Sequence, residues 1–195
     1  NIIISTGMAS VKEISKAINI LTSSGLKKSK ISLLHCISDY PAKIKNINLA
    51  SINFLKKKFR IKVGFSDHTD SCEVPGLAIL AGATIIEKHF TLNKKLTGPD
   101  HKASLNPTQF KKMVKLIREY EAILGKEEKK VNDQEKKNMI HVRKSLVAKK
   151  NINKGDKFTE INLTVKRPGD GICASNYFNY LNKIAKKNYQ VNEKI

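Results

Sequence analysis

The chain has 195 residues, 40% of them hydrophobic and 28% charged, which gives room for one ordinary domain, or one medium and one small, and excludes wholesale disorder. Basic residues number 37 against 17 acidic ones, a formal net charge of +20, yet only four of them are Arg: Arg60, Arg118, Arg143 and Arg167. Arg leads in bidentate phosphate and base recognition, so Lys scattered along a whole chain reads as solvated surface before it reads as a polyanion-binding face. Ile2-Ile3-Ile4-Ser5 reads as the end of a buried strand, and Thr6-Gly7 turns the chain. Ser10, with Glu13 three residues later, forms a capping box. Val11, Ile14, Ile18 and Leu21 then follow at helical spacing as far as Gly25. Ile31 to Cys36 is a second strand, residues 46–58 a second helix, Ile61 to Phe65 a third strand, and residues 73–82 a short buried helix. Thr84 to Lys88 is a fourth strand. Asn106-Pro107 opens a last helix with Pro at its first position. Phe110, Met113, Val114, Ile117, Tyr120 and Leu124 give that helix its apolar stripe, and Gly125 ends it.

Residues 1–125 therefore alternate strand and helix four times, the pattern of a parallel sheet with right-handed crossovers. Residues 126–138 are nearly all polar and read as a linker or a solvated helix end. Residues 139–195 change style. Short β-like segments at Lys144–Ala148 and Leu163–Arg167 alternate with turns such as Asn153-Lys154-Gly155-Asp156, the pattern of a separate small domain. No apolar run approaches the roughly 18 residues that span a bilayer, and the first residues carry no signal-peptide pattern. Cys36, Cys72 and Cys173 are odd in number, far apart and without a C-x-x-C pair, so a reduced, cytoplasmic setting is expected.

In parallel α/β sheets the chemistry sits at the carboxyl ends of the strands. Those ends here are Ser5, Cys36 to Tyr40, Ser66 to Thr69 and Glu87 to His89, and each carries polar or reactive side chains. His68 and His89 end consecutive strands, and neighbouring strands lie about 4.8 Å apart, so the two imidazoles can share one divalent metal. Asp67, Glu87 and Asp100 are the carboxylates close in sequence, any of which could add oxygen ligands. Spacing alone leaves zinc, manganese and magnesium open. Ser5, Ser38 and Ser66 could bind a phosphate or carboxylate together with backbone N–H groups, and they serve equally well as caps and turn residues. His35 and Cys36 are adjacent on a strand and point to opposite faces, which excludes a Cys/His nucleophile pair.

These segments resemble one family closely. His35-Cys36-Ile37-Ser38-Asp39-Tyr40-Pro41-Ala42, Gly64-Phe65-Ser66-Asp67-His68-Thr69, Ile86-Glu87-Lys88-His89-Phe90-Thr91-Leu92 and Gly98-Pro99-Asp100-His101-Lys102-Ala103-Ser104 look like consecutive motifs of the N-acetylneuraminate (sialic acid) synthases, in the same order and spacing. Arg143-Lys144-Ser145-Leu146-Val147-Ala148 and Arg167-Pro168-Gly169-Asp170-Gly171-Ile172 look like that family's C-terminal antifreeze-like (SAF) domain. The resemblance implies the C-terminal half of a (β/α)8 TIM barrel, its last four strands, followed by a small mixed, β-rich SAF domain. It implies condensation of phosphoenolpyruvate with an N-acetylated hexose such as N-acetylmannosamine, giving a nine-carbon sialic acid and phosphate. Carbon 3 of phosphoenolpyruvate attacks the sugar aldehyde, water adds at carbon 2, and phosphate leaves the tetrahedral intermediate. The resemblance gives His68 and His89 to a divalent metal, usually manganese, with magnesium or cobalt as alternatives. It gives Ser5 and Ser66 to phosphoenolpyruvate, and Ser38 and Tyr40 to substrate, although other members can have Asn at the position of Ser38. Asp100 would bind the sugar or the metal-bound water, and Glu87 would handle the attacking water's proton. Arg167 would reach the active site of the other subunit in a domain-swapped homodimer. His101 after Gly98-Pro99-Asp100 favours the neuraminate or legionaminate branch, because the pseudaminic acid synthases tend to carry Ser there.

The chain begins at what would be the family's fifth barrel strand. The family's phosphate-binding lysines and a substrate-binding glutamate belong to the first half of its barrel. Four strands leave open edges where eight would close. An incomplete gene or sequencing fragment, a split gene and a decayed remnant would each give this chain, and the first is taken here. The polypeptide alone is then expected to be inactive and poorly soluble. The competing readings are an inactive remnant, a basic nucleic-acid-binding protein and a stand-alone module whose SAF domain grips carbohydrate or ice-like surfaces. The second lacks an aromatic-rich basic stripe, so nucleic acid is not the expected partner.

Overall fold

A computed structural model describes residues 1–195, and the chain divides into two compact units, Asn1–Lys126 and Glu127–Ile195. The first unit runs β1 (Ile2–Ser5), α1 (Val11–Ser23), β2 (Ile31–Cys36), α2 (Ala50–Phe59), β3 (Lys62–Asp67), α3 (Val74–Leu80), β4 (Ile86–Lys88) and α4 (Pro107–Leu124). Its four strands form one sheet in the order β1-β2-β3-β4, and every neighbouring pair is parallel. This is the strand–helix alternation expected from the sequence, folded as a parallel half-barrel sheet.

The helix starts follow local chemistry. Ser10 accepts a hydrogen bond from the Glu13 backbone N–H while the Glu13 carboxylate accepts one from the Ser10 N–H, the predicted capping box. Asn106 and Gln109 make the same reciprocal pair at the start of α4, with Pro107 as its first residue. The second helix differs from expectation. In place of one helix over residues 46–58 there is a 3-10 turn at Ile44–Asn46 followed by α2. Asn48, with φ at 46°, lies in the left-handed region and interrupts the helical run.

The strand period of two decides which side chains meet the core. Ile31, Leu33, Val63 and Phe65 pack with Ile14 and Ile18 of α1 and Ile52, Leu55 and Phe59 of α2 in one buried cluster. Residues of the opposite parity, Ser5, Cys36, Ser66 and Glu87, share the other face of the sheet. In the register Cys36 pairs with Ser66, and Ser66 with Glu87. That face is therefore the one that carries the candidate chemistry. On the helical side α3 leans against α4 so closely that a Cβ at Gly76 would stand 2.4 Å from Cδ2 of Tyr120. Gly76→Ala is expected to cost about 1–3 kcal/mol of stability through overpacking. A urea midpoint unchanged from wild type would contradict it.

The second unit begins earlier than the sequence pattern placed it. Part of the expected 126–138 linker is helical: α5 runs Asp133–Val142, across the expected boundary. Its start is a third capping box, with Asn132 and Glu135 as the pair, and all of its residues stay at least partly exposed, which is why the segment lacks an apolar stripe. β5 (Ser145–Ala148) and β6 (Leu163–Lys166) pair antiparallel. Leu146, Ala148, Ile152, Phe158, Leu163, Ala185 and Tyr189 form a separate small core. The turn after β6 is pinned to β5 and α5. Ser145 Oγ donates to the Pro168 carbonyl at 2.7 Å and accepts from the Gly171 N–H at 2.8 Å, and the Gly169 N–H donates to the Ile140 carbonyl at 2.6 Å. No helix is long and apolar enough to cross a membrane.

Candidate active site at the sheet's carboxyl edge

The carboxyl ends of β2, β3 and β4 bring Tyr40, Ser66, His68, Glu87 and His89 together. The Tyr40 and His68 rings stack with centroids 4.2 Å apart. His89 stands edge-on to both, 5.5 Å from Tyr40 and 5.5 Å from His68. His68 Nδ1 lies 2.7 Å from the Ile37 carbonyl, an oxygen that can only accept. The proton therefore sits on Nδ1 and leaves a lone pair on Nε2. Nε2 is 3.1 Å from the Tyr40 hydroxyl, which donates to it. Ser66 Oγ donates to Glu87 Oε1 at 2.6 Å and stands 3.3 Å from the same Nε2.

Charge gathers around Tyr40, which is 52% exposed. Partial burial raises its phenol above the ordinary value, and Cys36, once ionised, together with Asp100 and Glu87 adds to the rise. Asp100 lies in the 93–103 loop, between β4 and α4. Ser104 fastens that loop by donating both its N–H (3.0 Å) and its hydroxyl (2.6 Å) to the Asp100 carbonyl. Thr91 Oγ1, 2.7 Å from His101 Nδ1, holds the loop's far side.

Ser5 lies at the end of β1 beside Cys36. Burial pushes the Cys36 pKa up, and the neighbouring backbone of Gly7 and Thr6 and the Ser5 side chain offset only part of the rise. A raised pKa disfavours the thiolate, so Cys36 is a poor nucleophile. His35 is turned away from it: Nε2 meets the Ile47 carbonyl at 2.7 Å in the core. Ser38 crowds Gly7 so tightly that a Cβ there would fall 2.3 Å from Ser38 Oγ. Arg167 belongs to the second unit, where it is exposed and its Nε donates to the Val142 carbonyl at 2.9 Å.

One expectation fails. Asp67 is not an oxygen ligand in waiting. Its parity turns it to the helical side, where it is fully buried and pairs with Lys88 at 2.7 Å. No set of three or more His, Cys, Asp or Glu side chains converges as a metal cage. What the site offers a divalent ion is two imidazoles with open remaining positions. His68 is already in the tautomer a ligand needs, held by a carbonyl behind it, and this donor set fits a catalytic metal that keeps room for substrate. Sequence reasoning passed over Lys88. The available signal was a Lys between Glu87 and His89 in a short strand, where alternation turns it away from solvent.

A parallel half-barrel sheet with histidine and carboxylate side chains at its carboxyl edge, and a small β-containing unit after it in the chain, place this protein in the α/β class whose chemistry gathers at the strand ends. Residues 1–129 match the NeuB family and residues 143–190 match the SAF domain. The chain belongs to the NeuB family. It is 49% identical over 194 residues to the N,N'-diacetyllegionaminic acid synthase of Campylobacter jejuni subsp. jejuni serotype O:2, covering 100% of this chain and 58% of that protein. The crystal structure of N-acetylneuraminic acid (sialic acid) synthetase from Leptospira borgpetersenii serovar Hardjo-bovis is 37% identical, with a TM-score of 0.63 over 70% of this chain and 47% of that one. A putative spore coat polysaccharide biosynthesis protein E from Chromobacterium violaceum is 25% identical, with a TM-score of 0.79 over 99% of this chain and 58% of that one. The chain thus spans a little over half the length of the curated relative.

Proposed function

We propose that this chain carries the catalytic edge of a sialic acid synthase. In this reading its sheet is half of a (β/α)8 barrel that condenses phosphoenolpyruvate with an N-acetylated hexose, releasing phosphate. The observation that carries the reading is the convergence of His68, His89, Tyr40, Ser66 and Glu87 on one sheet edge, with the His68 Nε2 lone pair turned into the group. His68 and His89 would hold a divalent metal, manganese first and magnesium or cobalt as alternatives. When bound, such an ion supplies Lewis-acid stabilisation of the charge that develops on the sugar aldehyde oxygen.

The chain's own side chains do the rest. Ser5 and Ser66 hold phosphoenolpyruvate, and Ser38 and Tyr40 hold substrate beside it. Asp100 approaches the sugar hydroxyls from its loop. Glu87 takes the proton of the water that adds at carbon 2, and the Ser66 hydroxyl keeps its carboxylate aimed. Arg167 reaches substrate from a second copy in a swapped homodimer.

The relative's name makes a doubly N-acetylated hexose the first sugar to test beside N-acetylmannosamine. The segment of the Campylobacter enzyme matched by this chain would be replaced with these 195 residues, and phosphate release from phosphoenolpyruvate measured with each sugar. Sugar-dependent, metal-dependent release is expected. A folded chimera that releases no phosphate with either sugar would overturn the reading.

A further inference from the structure

Behind the two histidines lies a buried ion pair that the chemistry above does not use. Lys88 and Asp67 have side chains 1% and 0% exposed, and Nζ to Oδ2 is 2.7 Å. They are register partners on β4 and β3. Asp67 does more than neutralise a charge. Its Oδ1 accepts the Thr69 N–H at 2.9 Å and its Oδ2 accepts the Thr69 hydroxyl at 3.1 Å. The carboxylate therefore closes a turn with His68 at its centre. Lys88 Nζ also donates to the Thr69 carbonyl, the far side of the same turn. One ammonium thus ties the Asp67 side chain and the Thr69 carbonyl, on either side of His68, to the strand that ends just before His89.

We propose that the Asp67–Lys88 pair is a positioning device: it holds His68 and His89 in the relative placement that lets them share one divalent ion. This rests on the metal reading of the histidines. A side chain on the helical side of the sheet touches neither substrate nor metal, so it acts only through the backbone it fixes. Strand pairing alone leaves that placement loose. β4 is three residues long, and His68 and His89 each lie one residue past the end of their strands. Without the pair, the turn around His68 loses its closing acceptor, and the ring is left to the Ile37 carbonyl behind it and to Tyr40, an exposed side chain on a loop.

The test separates positioning from stability. The double variant Asp67→Leu/Lys88→Met removes both charges together, so no charge is left buried alone and the fold survives. MnCl2 would be titrated into the chimera that carries these 195 residues, with free Mn(II) read by EPR and folding followed by circular dichroism. Wild type is expected to bind one Mn(II), and His68→Ala to lose it. The double variant is expected to stay folded and bind roughly 10- to 100-fold more weakly, the range for loss of groups that orient metal ligands. Gly76→Ala, which lowers stability through the α3–α4 contact and touches neither the ion pair nor the histidines, is expected to keep wild-type affinity. A folded double variant with wild-type affinity would overturn the positioning role while leaving the metal site standing. A wild-type chain without saturable Mn(II) binding, or binding untouched by His68→Ala, would overturn the metal reading and this proposal with it.

Discussion

His68→Ala and His89→Ala are each expected to lower metal-dependent phosphate release about 1,000-fold or more in the chimeric enzyme. The magnitude follows from the chemistry: Lewis-acid stabilisation contributes several kcal/mol to a charged transition state, and each 1.36 kcal/mol is a factor of ten in rate. Only two side chains supply nitrogen ligands here, and no third acid or thiol stands by to replace one. Losing either imidazole should therefore act almost as removal of the metal does. Dialysis of the unmodified chimera against a chelator should reproduce the loss, and added manganese should reverse it only where both histidines remain. Tyr40 supplies the contrast. Its ring stacks on His68 and its hydroxyl caps Nε2, so Tyr40→Phe keeps the stack and both ligands and should fall far short of the histidine loss. Equal losses in all three variants would point to a collapsed site rather than a missing ion.

The half-barrel was legible because its elements announce themselves locally. Ser10 with Glu13 and Asn106 with Pro107 mark helix starts by caps that need no tertiary partner. The strand ends were legible for a related reason: period-two alternation turns Ser66 and Glu87 to one face whatever packs on the other. Alternation also explains the failure at Asp67. Its place beside Ser66 and His68 looked like proximity to the site, yet one residue along a strand is the opposite face of the sheet. Asn132 carried a readable cap as well, but a helix with no buried residue has no apolar stripe to confirm it, so the sequence left a linker and a solvated helix end as equal alternatives. Asn48 was illegible for a different cause. A left-handed residue inside an otherwise helical pattern is set by how the chain turns into α2, which spacing alone does not encode.

The second large effect concerns the buried pair. Asp67→Ala or Lys88→Met alone is expected to cost about 3–5 kcal/mol, because each strands an uncompensated charge in the core. That is a large share of the roughly 5–15 kcal/mol that holds a typical domain together. Joint replacement as Asp67→Leu/Lys88→Met should recover most of the loss. The ion pairs elsewhere set the scale for comparison. Lys115–Glu119 and Arg118–Glu121 on α4 have side chains 42–78% exposed, and pairs of that kind are worth about 0–1 kcal/mol. Urea unfolding of the two single variants and the double variant would measure the difference. Singles that cost no more than a surface pair would mean that water reaches Asp67 in solution. Costly singles with a stable double variant would mean that the pair is dispensable for folding. Its placement one residue from each histidine would then be accounted for by the site rather than by the core.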